Sequence, residues 1–220
     1  MSTVLVTGAN RGIGLELCRQ LSTGGHQIIA ACRKSSPDLD SLKLRTVCGV
    51  DVSSDEAVQM LDAELGDTQL DLLINNAGIL RRESLEELDM DSMLEQFKVN
   101  SLGPLRVTAT LRHRMSAGAK VAIISSRMGS IADNSSGSRY GYRMSKAAVN
   151  IAGVSLARDL KPQGIAVAIL HPGWVRTDMT GNTGLVDAKE SAAGLIARIE
   201  ELTLENSGTF WHMNGEILPW

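Results

Sequence analysis

Short apolar runs alternate with amphipathic stretches along the chain. Val4–Val6, Gln27–Ala31, Thr46–Val50, Leu70–Ile74, Val121–Ile124 and Ile165–Leu170 are continuous rather than alternating, the pattern of strands buried on both faces of a parallel sheet. Between them, residues 13–21, 53–65, 93–115, 142–160 and 188–201 repeat apolar positions at a helical period. This rhythm predicts an α/β fold: a doubly wound parallel sheet with helices on both faces and right-handed crossovers. With 220 residues and no linker or repeat, the reading is a single domain over 1–220. In such sheets ligands bind beyond the carboxyl ends of the strands, so the residues after each strand are where chemistry is sought.

Composition narrows the class. Hydrophobic residues make up 43% and charged residues 21%, which excludes disordered and low-complexity classes. The net charge of -3, with no basic block, argues against nucleic-acid binding. No apolar run reaches the ~20 residues of a membrane span, and the start Met1-Ser2-Thr3-Val4 lacks an export-signal pattern, so a cytoplasmic location is expected. Cys18, Cys32 and Cys48 are too widely spaced for a CxxC pair or a zinc knuckle, and no metal site is predicted.

The first predicted strand runs into Thr7-Gly8-Ala9-Asn10-Arg11-Gly12-Ile13-Gly14 and then a helix. Gly8 allows a sharp turn, Gly12 lets backbone approach a pyrophosphate, and Gly14 allows close helix packing, with the helix N-terminus facing the anion. Asn10, Arg11 and Ile13 complete this cradle. The spacing is GxxxGxG rather than GxGxxG, and a glycine-rich turn without a ligand is the plain alternative. After the second strand an acid would select a ribose 2′-hydroxyl, but the segment reads Ala30-Ala31-Cys32-Arg33-Lys34. Arg33, helped by Arg11, suits a 2′-phosphate, which predicts NADPH or NADP over NAD.

Tyr142 and Lys146, four residues apart, share one face of a predicted helix. Moving a phenol from ~10 to ~7 needs about 4 kcal/mol. A unit charge ~4 Å away at an effective dielectric of ~20 supplies about that. A lysine-depressed phenol is therefore the expectation. Tyr140, with Met144 four residues on, lacks such a partner and reads as pocket wall or loop packing.

Together these residues resemble the short-chain dehydrogenase/reductase family. The resemblance runs through Thr7-Gly8 to Gly14, Asp51-Val52, Asn75-Asn76-Ala77-Gly78, Asn100, Ser125-Ser126, Tyr142 with Lys146, and Pro172-Gly173. Within the family, His171 to Met179 and the Trp220 ending are similar to the sniffer and C-factor type of small carbonyl reductase. The resemblance implies a Rossmann-type fold and an NADPH-dependent reduction of an aldehyde or ketone carbonyl. It assigns Tyr142 as general acid, Lys146 as the residue that tunes it and bonds the nicotinamide ribose, and Asn100 as the holder of a water linking Lys146 to solvent. It also places Asp51 and Val52 around the adenine, and Asn76, Ala77 and Gly78 along the cofactor cleft. Pro172, Gly173, Val175 and Thr177 then lie beside the carboxamide, with Val175 and Thr177 meeting it.

The family's serine usually stands about 13 residues before the tyrosine, where this chain has Gly129. Ser126 is chosen over Ser125 and Ser130, with Asp133–Ser138 treated as an insertion. A short lid over about 177–187 is expected to cover the site, with Trp174, Met179 and Trp211 or Trp220 forming an apolar substrate pocket. The resemblance allows a homodimer through the 93–115 and 143–160 helices, and also a monomer. Two alternatives stay open: a cofactor-binding signalling protein with incidental turnover, and an NAD-dependent alcohol dehydrogenase.

Overall fold

A computed structural model describes all residues 1–220. Seven strands form one sheet: β1 (Thr3–Thr7), β2 (Gln27–Ala31), β3 (Arg45–Val47), β4 (Leu72–Asn75), β5 (Lys120–Ile124), β6 (Ala166–His171) and β7 (Phe210–His212). Every pairing is parallel, and the order is β3-β2-β1-β4-β5-β6-β7. Strand order reverses between β1 and β4, which opens a crevice at their carboxyl ends.

The continuous apolar runs hide a period of two. Val4 and Val6 enter one core layer and Leu5 the other; Ile29 and Ala31 oppose Ala30; Val121 and Ile123 oppose Ala122 and Ile124. The first layer packs under α1 (Gly12–Thr23) and α7 (Ala188–Glu200). The second packs under α3 (Asp55–Leu65), α5 (Gly103–Leu111) and α6 (Tyr140–Leu160). The helices on both faces are what allow every central strand to be apolar throughout.

Local chemistry sets the helix starts. Ser54 accepts from Ala57 N at the head of α3, and Asp187 accepts from Glu190 N at the head of α7. Three differences from the sequence reading have physical causes. The predicted 93–115 helix is divided into α4 (Met90–Phe97), a π-turn over Lys98–Leu102, and α5, because Pro104 has no N–H with which to continue the ladder. The third strand ends at Val47 instead of Val50, where Gly49 takes a φ of 80°. Strand β7 and the five-residue α2 (Pro37–Ser41) are too short to show a period in sequence.

Helix α6 lies against β5 and β6 through Gly153, where an added Cβ would sit 2.7 Å from Ile169 Cγ1 and 2.9 Å from its Cδ1. Both strands are buried, so Ile169 has nowhere to move. Gly153→Val is expected to destabilise the fold by about 2 kcal/mol through overpacking, read as a lowered urea midpoint at unchanged slope.

Candidate active site

The glycine turn is a packed corner. Gly8 and Gly12 take φ of 65° and 54°, conformations that L side chains rarely adopt. An added Cβ on Gly14 would lie 2.2 Å from the Gly8 carbonyl oxygen, and one on Gly8 would lie 2.8 Å from Ala77 Cα. Asn76 braces this corner: its Nδ2 donates to Thr7 O at 3.0 Å and Gly8 O at 3.1 Å. Thr7 Oγ1 in turn accepts from the N–H groups of Asn76 and Ala77, each at 3.1 Å. Arg11, at the N-cap of α1, supplies no side-chain cap, so the first N–H groups of the helix point into the crevice without a side-chain partner. A backbone cradle that tolerates no Cβ, at an uncapped helix N-terminus, fits the pyrophosphate of a dinucleotide.

The crevice continues as a cleft of about 750 Å³. It takes in Gly8, Asn10, Arg11, Gly12, Ile13 and Gly14 at the phosphate turn, Arg33, Asp51 and Val52 at one end, and Asn76, Ala77, Gly78, Pro172 and Thr177 along its length. Asp51 is held by Ser53, whose N–H and hydroxyl donate to Oδ1 at 2.9 and 2.7 Å. That hydrogen bonding, with the charges of Arg33 and Arg106 behind it, keeps its carboxyl below the usual range. Arg33 is exposed at the end of β2. Arg11, also exposed, lies 3.9 Å from Asp178, a solvent-screened contact of little energy that leaves the guanidinium available.

Tyr142 and Lys146 sit at the other end, on the first turns of α6, where Gly141 lets the helix press against Gln96 and Met93. Both side chains line the cleft and both are buried. Lys146 Nζ donates to Ile124 O at 2.9 Å and lies 5.7 Å from the Tyr142 ring centroid. The expected lysine-depressed phenol is not what this geometry gives. Burial raises the Tyr142 phenol above its ordinary value, against smaller downward pulls from a hydrogen bond with Ser126 and the charge of Arg139. The same burial lowers Lys146 to about 8. Loss of water is the larger effect on each group, and Lys146 is turned toward the Ile124 carbonyl.

The three serines separate by their partners. Ser125 Oγ donates to Asn150 Oδ1 in the interior, and Ser130 Oγ accepts from Asp133 N at 3.1 Å. Ser126 caps the turn Arg127–Gly129 through Met128 N and lies outside the cleft lining, and of the three it is the one whose hydroxyl pulls on the Tyr142 phenol. Asn100 stands behind the cleft wall, not in it. Its side chain accepts from Ile79 N and donates to Ile79 O, both at 2.8 Å, and also donates to Ser145 Oγ at 3.0 Å. Gly173 and Val175 likewise lie outside the lining: Gly173 makes the turn at a φ of 86°, and Val175 bridges Val186 at the base of the 177–187 segment. Trp211 is buried in the core, Trp220 stacks on Phe210 at 5.4 Å, and Trp174 is exposed outside the lining, so of the four residues expected to form a substrate pocket only Met179 lines the cleft. Ile79, Val99 and Arg176 line the cleft without having been expected there, and so does Ser125, the serine passed over for Ser126. Ser125 and Arg176 follow β5 and β6, where the strand-end rule points, whereas Ile79 and Val99 are apolar positions without a local signal.

A doubly wound sheet with a glycine turn at its switch point and a buried tyrosine and lysine beside the cleft defines a Rossmann-type oxidoreductase. Residues 2–186 match the model of the short chain dehydrogenase family, and the chain belongs to that family. It is 42% identical to a 1-hydroxy-2-glutathionyl-2-methyl-3-butene dehydrogenase of Rhodococcus sp. (strain AD45), across all of both chains. A crystal structure of NADPH-bound carbonyl reductase from chicken fatty liver superposes with a TM-score of 0.89 at 30% identity, covering 100% of this chain and 99% of that one. The carbonyl reductase Sniffer of D. melanogaster gives 0.89 at 29% identity over the whole of both chains.

A lysine lowered by burial weakens the fold while it carries charge. Between about 8 and the ordinary 10.5, the unfolded chain binds a proton that the folded chain does not, so stability rises with pH through that window. Lys146→Met is therefore expected to be more stable than the parent by about 2 kcal/mol at pH 7, after allowing for the lost bond to Ile124, with the gap closing by pH 10 in urea titrations.

Proposed function

We propose that the protein is an NADPH-dependent carbonyl reductase in which Tyr142 gives the proton to the substrate oxygen. The observation that carries this reading is the buried phenol of Tyr142, with Lys146 one turn further along α6, lining the same cleft as the glycine turn. A phenol kept protonated by burial is a donor waiting for a base, which suits reduction. When bound, the reduced nicotinamide supplies the hydride to the carbonyl carbon.

The chain's own residues do the rest. Ser126 orients the carbonyl by hydrogen bonding its oxygen, and Tyr142 delivers its proton there as negative charge builds. Lys146, cationic below about 8, stabilises the phenolate left behind and bonds the ribose. Asn100 acts from behind: by clamping Ile79 it holds the cleft wall and the Ser145 turn against which Lys146 stands, and with them the water that links Lys146 to solvent. At the phosphates, Gly8, Asn10, Gly12, Ile13 and Gly14 offer backbone. Arg33 and Arg11 pair with the 2′-phosphate, and Asp51 and Val52 frame the adenine. Asn76, Ala77, Gly78, Pro172, Gly173, Val175 and Thr177 hold the nicotinamide half. The lack of an acid at the end of β2 supports NADPH, as does the cofactor bound in the chicken relative.

A second reading runs the same site backwards as an alcohol oxidation, and the dehydrogenase named for the Rhodococcus relative favours it. The two readings require opposite states of one phenol. Reduction needs the protonated form and is expected to fall at alkaline pH, whereas oxidation needs the phenolate and rises with pH.

NADPH consumption against a panel of aldehydes, ketones and quinones tests the proposal. Tyr142→Phe is expected to abolish reduction, and Ser126→Ala to lower kcat by about 10²-fold or more, with NADPH still binding to both. Tight binding without turnover in the parent would favour a signalling role, and near-normal rates in either variant would remove that residue from the scheme. Arg33→Asp is expected to lower the ratio of NADPH to NADH efficiency by about tenfold or more, and an unchanged ratio would refute the phosphate assignment.

A further inference from the structure

The three cysteines take no part in this chemistry, yet the fold brings two of them together. Cys32 and Cys48 stand one step beyond the β2–β3 register in which Ala31 faces Val47. Cys32 N donates to Val47 O at 3.0 Å, the bond that a parallel ladder sets beside a 32–48 pair. Ala31 and Val47 both enter the core layer under α3, α5 and α6, so by alternation the next residues, Cys32 and Cys48, both point to the opposite face. There burial first, and then the neighbouring Cys48 thiol, push the Cys32 thiol up to about 11. Adjacent strands run about 4.8 Å apart, inside the ~4.4–6.8 Å Cα separation that a disulfide spans.

Their surroundings give the pair an order of reaction and a consequence. Cys48 is exposed and Cys32 is buried. Cys32 lines the cleft directly before Arg33, and its carbonyl accepts from Val50 N at 3.1 Å. The Arg33 carbonyl accepts from Gly49 N at 3.0 Å. The thiols therefore lie on the seam that joins Arg33 to the loop carrying Asp51, the adenosine end of the cleft.

We propose that Cys32 and Cys48 form a reversible disulfide that weakens cofactor binding when the chain is oxidised. With glutathione disulfide as oxidant, the Cys48 thiolate attacks one of its sulfurs, forming a mixed disulfide and releasing one glutathione thiolate. The Cys32 thiolate then attacks Cys48 Sγ, forming the protein disulfide and releasing the second. The protein loses two electrons and two protons, and one glutathione disulfide becomes two glutathiones. Closing the sulfurs to a bond of about 2 Å draws the Cys48–Asp51 loop toward β2 and moves Arg33 and Asp51 off their positions. By linkage, bound NADPH disfavours closure to the same degree.

The consequence for binding rests on the cofactor reading above; the bond itself does not. The test takes the full reduced chain, treats it with glutathione disulfide, maps its peptides by mass and titrates it with NADPH by fluorescence. The peptides holding residues 32 and 48 are expected to be joined without glutathione, and affinity for NADPH to fall roughly fivefold or more and return with dithiothreitol. Cys48→Ser is expected to bind NADPH like the reduced parent and to ignore the oxidant. Glutathione left on Cys48 with no crosslink overturns the proposal, as does a crosslink that leaves affinity unchanged. A reduced chain that binds no NADPH overturns the switch and the cofactor reading together, whereas binding that no oxidant alters overturns the switch alone.

Discussion

The contact between Gly14 and the Gly8 carbonyl organises the rest of the molecule. Because no Cβ intervenes, α1 can start against the ends of β1 and β4 at the point where the sheet reverses its order. Asn76 then ties the two strand ends through the Thr7 and Gly8 carbonyls. The cleft follows from that corner: its floor is backbone, its helix N-terminus is uncapped, and its walls are whatever residues trail the neighbouring strands.

At the far end the governing fact is loss of water. Tyr142 and Lys146 are both buried, and burial moves each toward its neutral form, the phenol upward and the amine down to about 8. The pair is thus poised: near neutrality the phenol holds its proton while the amine remains largely charged. The cost is borne by the fold, which encloses a cation against a single backbone carbonyl. Helix α6 carries both residues, and Gly141, Gly153 and the Gly129 turn seat that helix closely enough to enclose them.

The adenosine end is built differently. There the sheet thins to β2 and the three-residue β3, Gly49 breaks the ladder, and polar loops take over. Arg33 and Asp51 meet across that break through backbone bonds between residues 32–33 and 49–50. An edge held by so few bonds moves more easily than the Gly8–Gly14 corner.

The amino-acid pattern alone determined the sheet class, six of the seven strands, the phosphate turn and the Tyr142–Lys146 spacing, because each is written in residues close in sequence: apolar runs, glycines at a strand–helix junction, an i,i+4 pair. The split of the 93–115 helix and the short β7 were lost because a π-turn and a three-residue strand leave no periodic trace. Only the tertiary structure separated Ser125, Ser126 and Ser130, since their hydroxyls are allotted to Asn150, Met128 N and Asp133 N by packing. It also decided the direction in which the phenol shifts and the meeting of Cys32 with Cys48. Charge state depends on how much water surrounds a group, and strand neighbours on register; both are sums over residues distant in the chain, which no local pattern encodes.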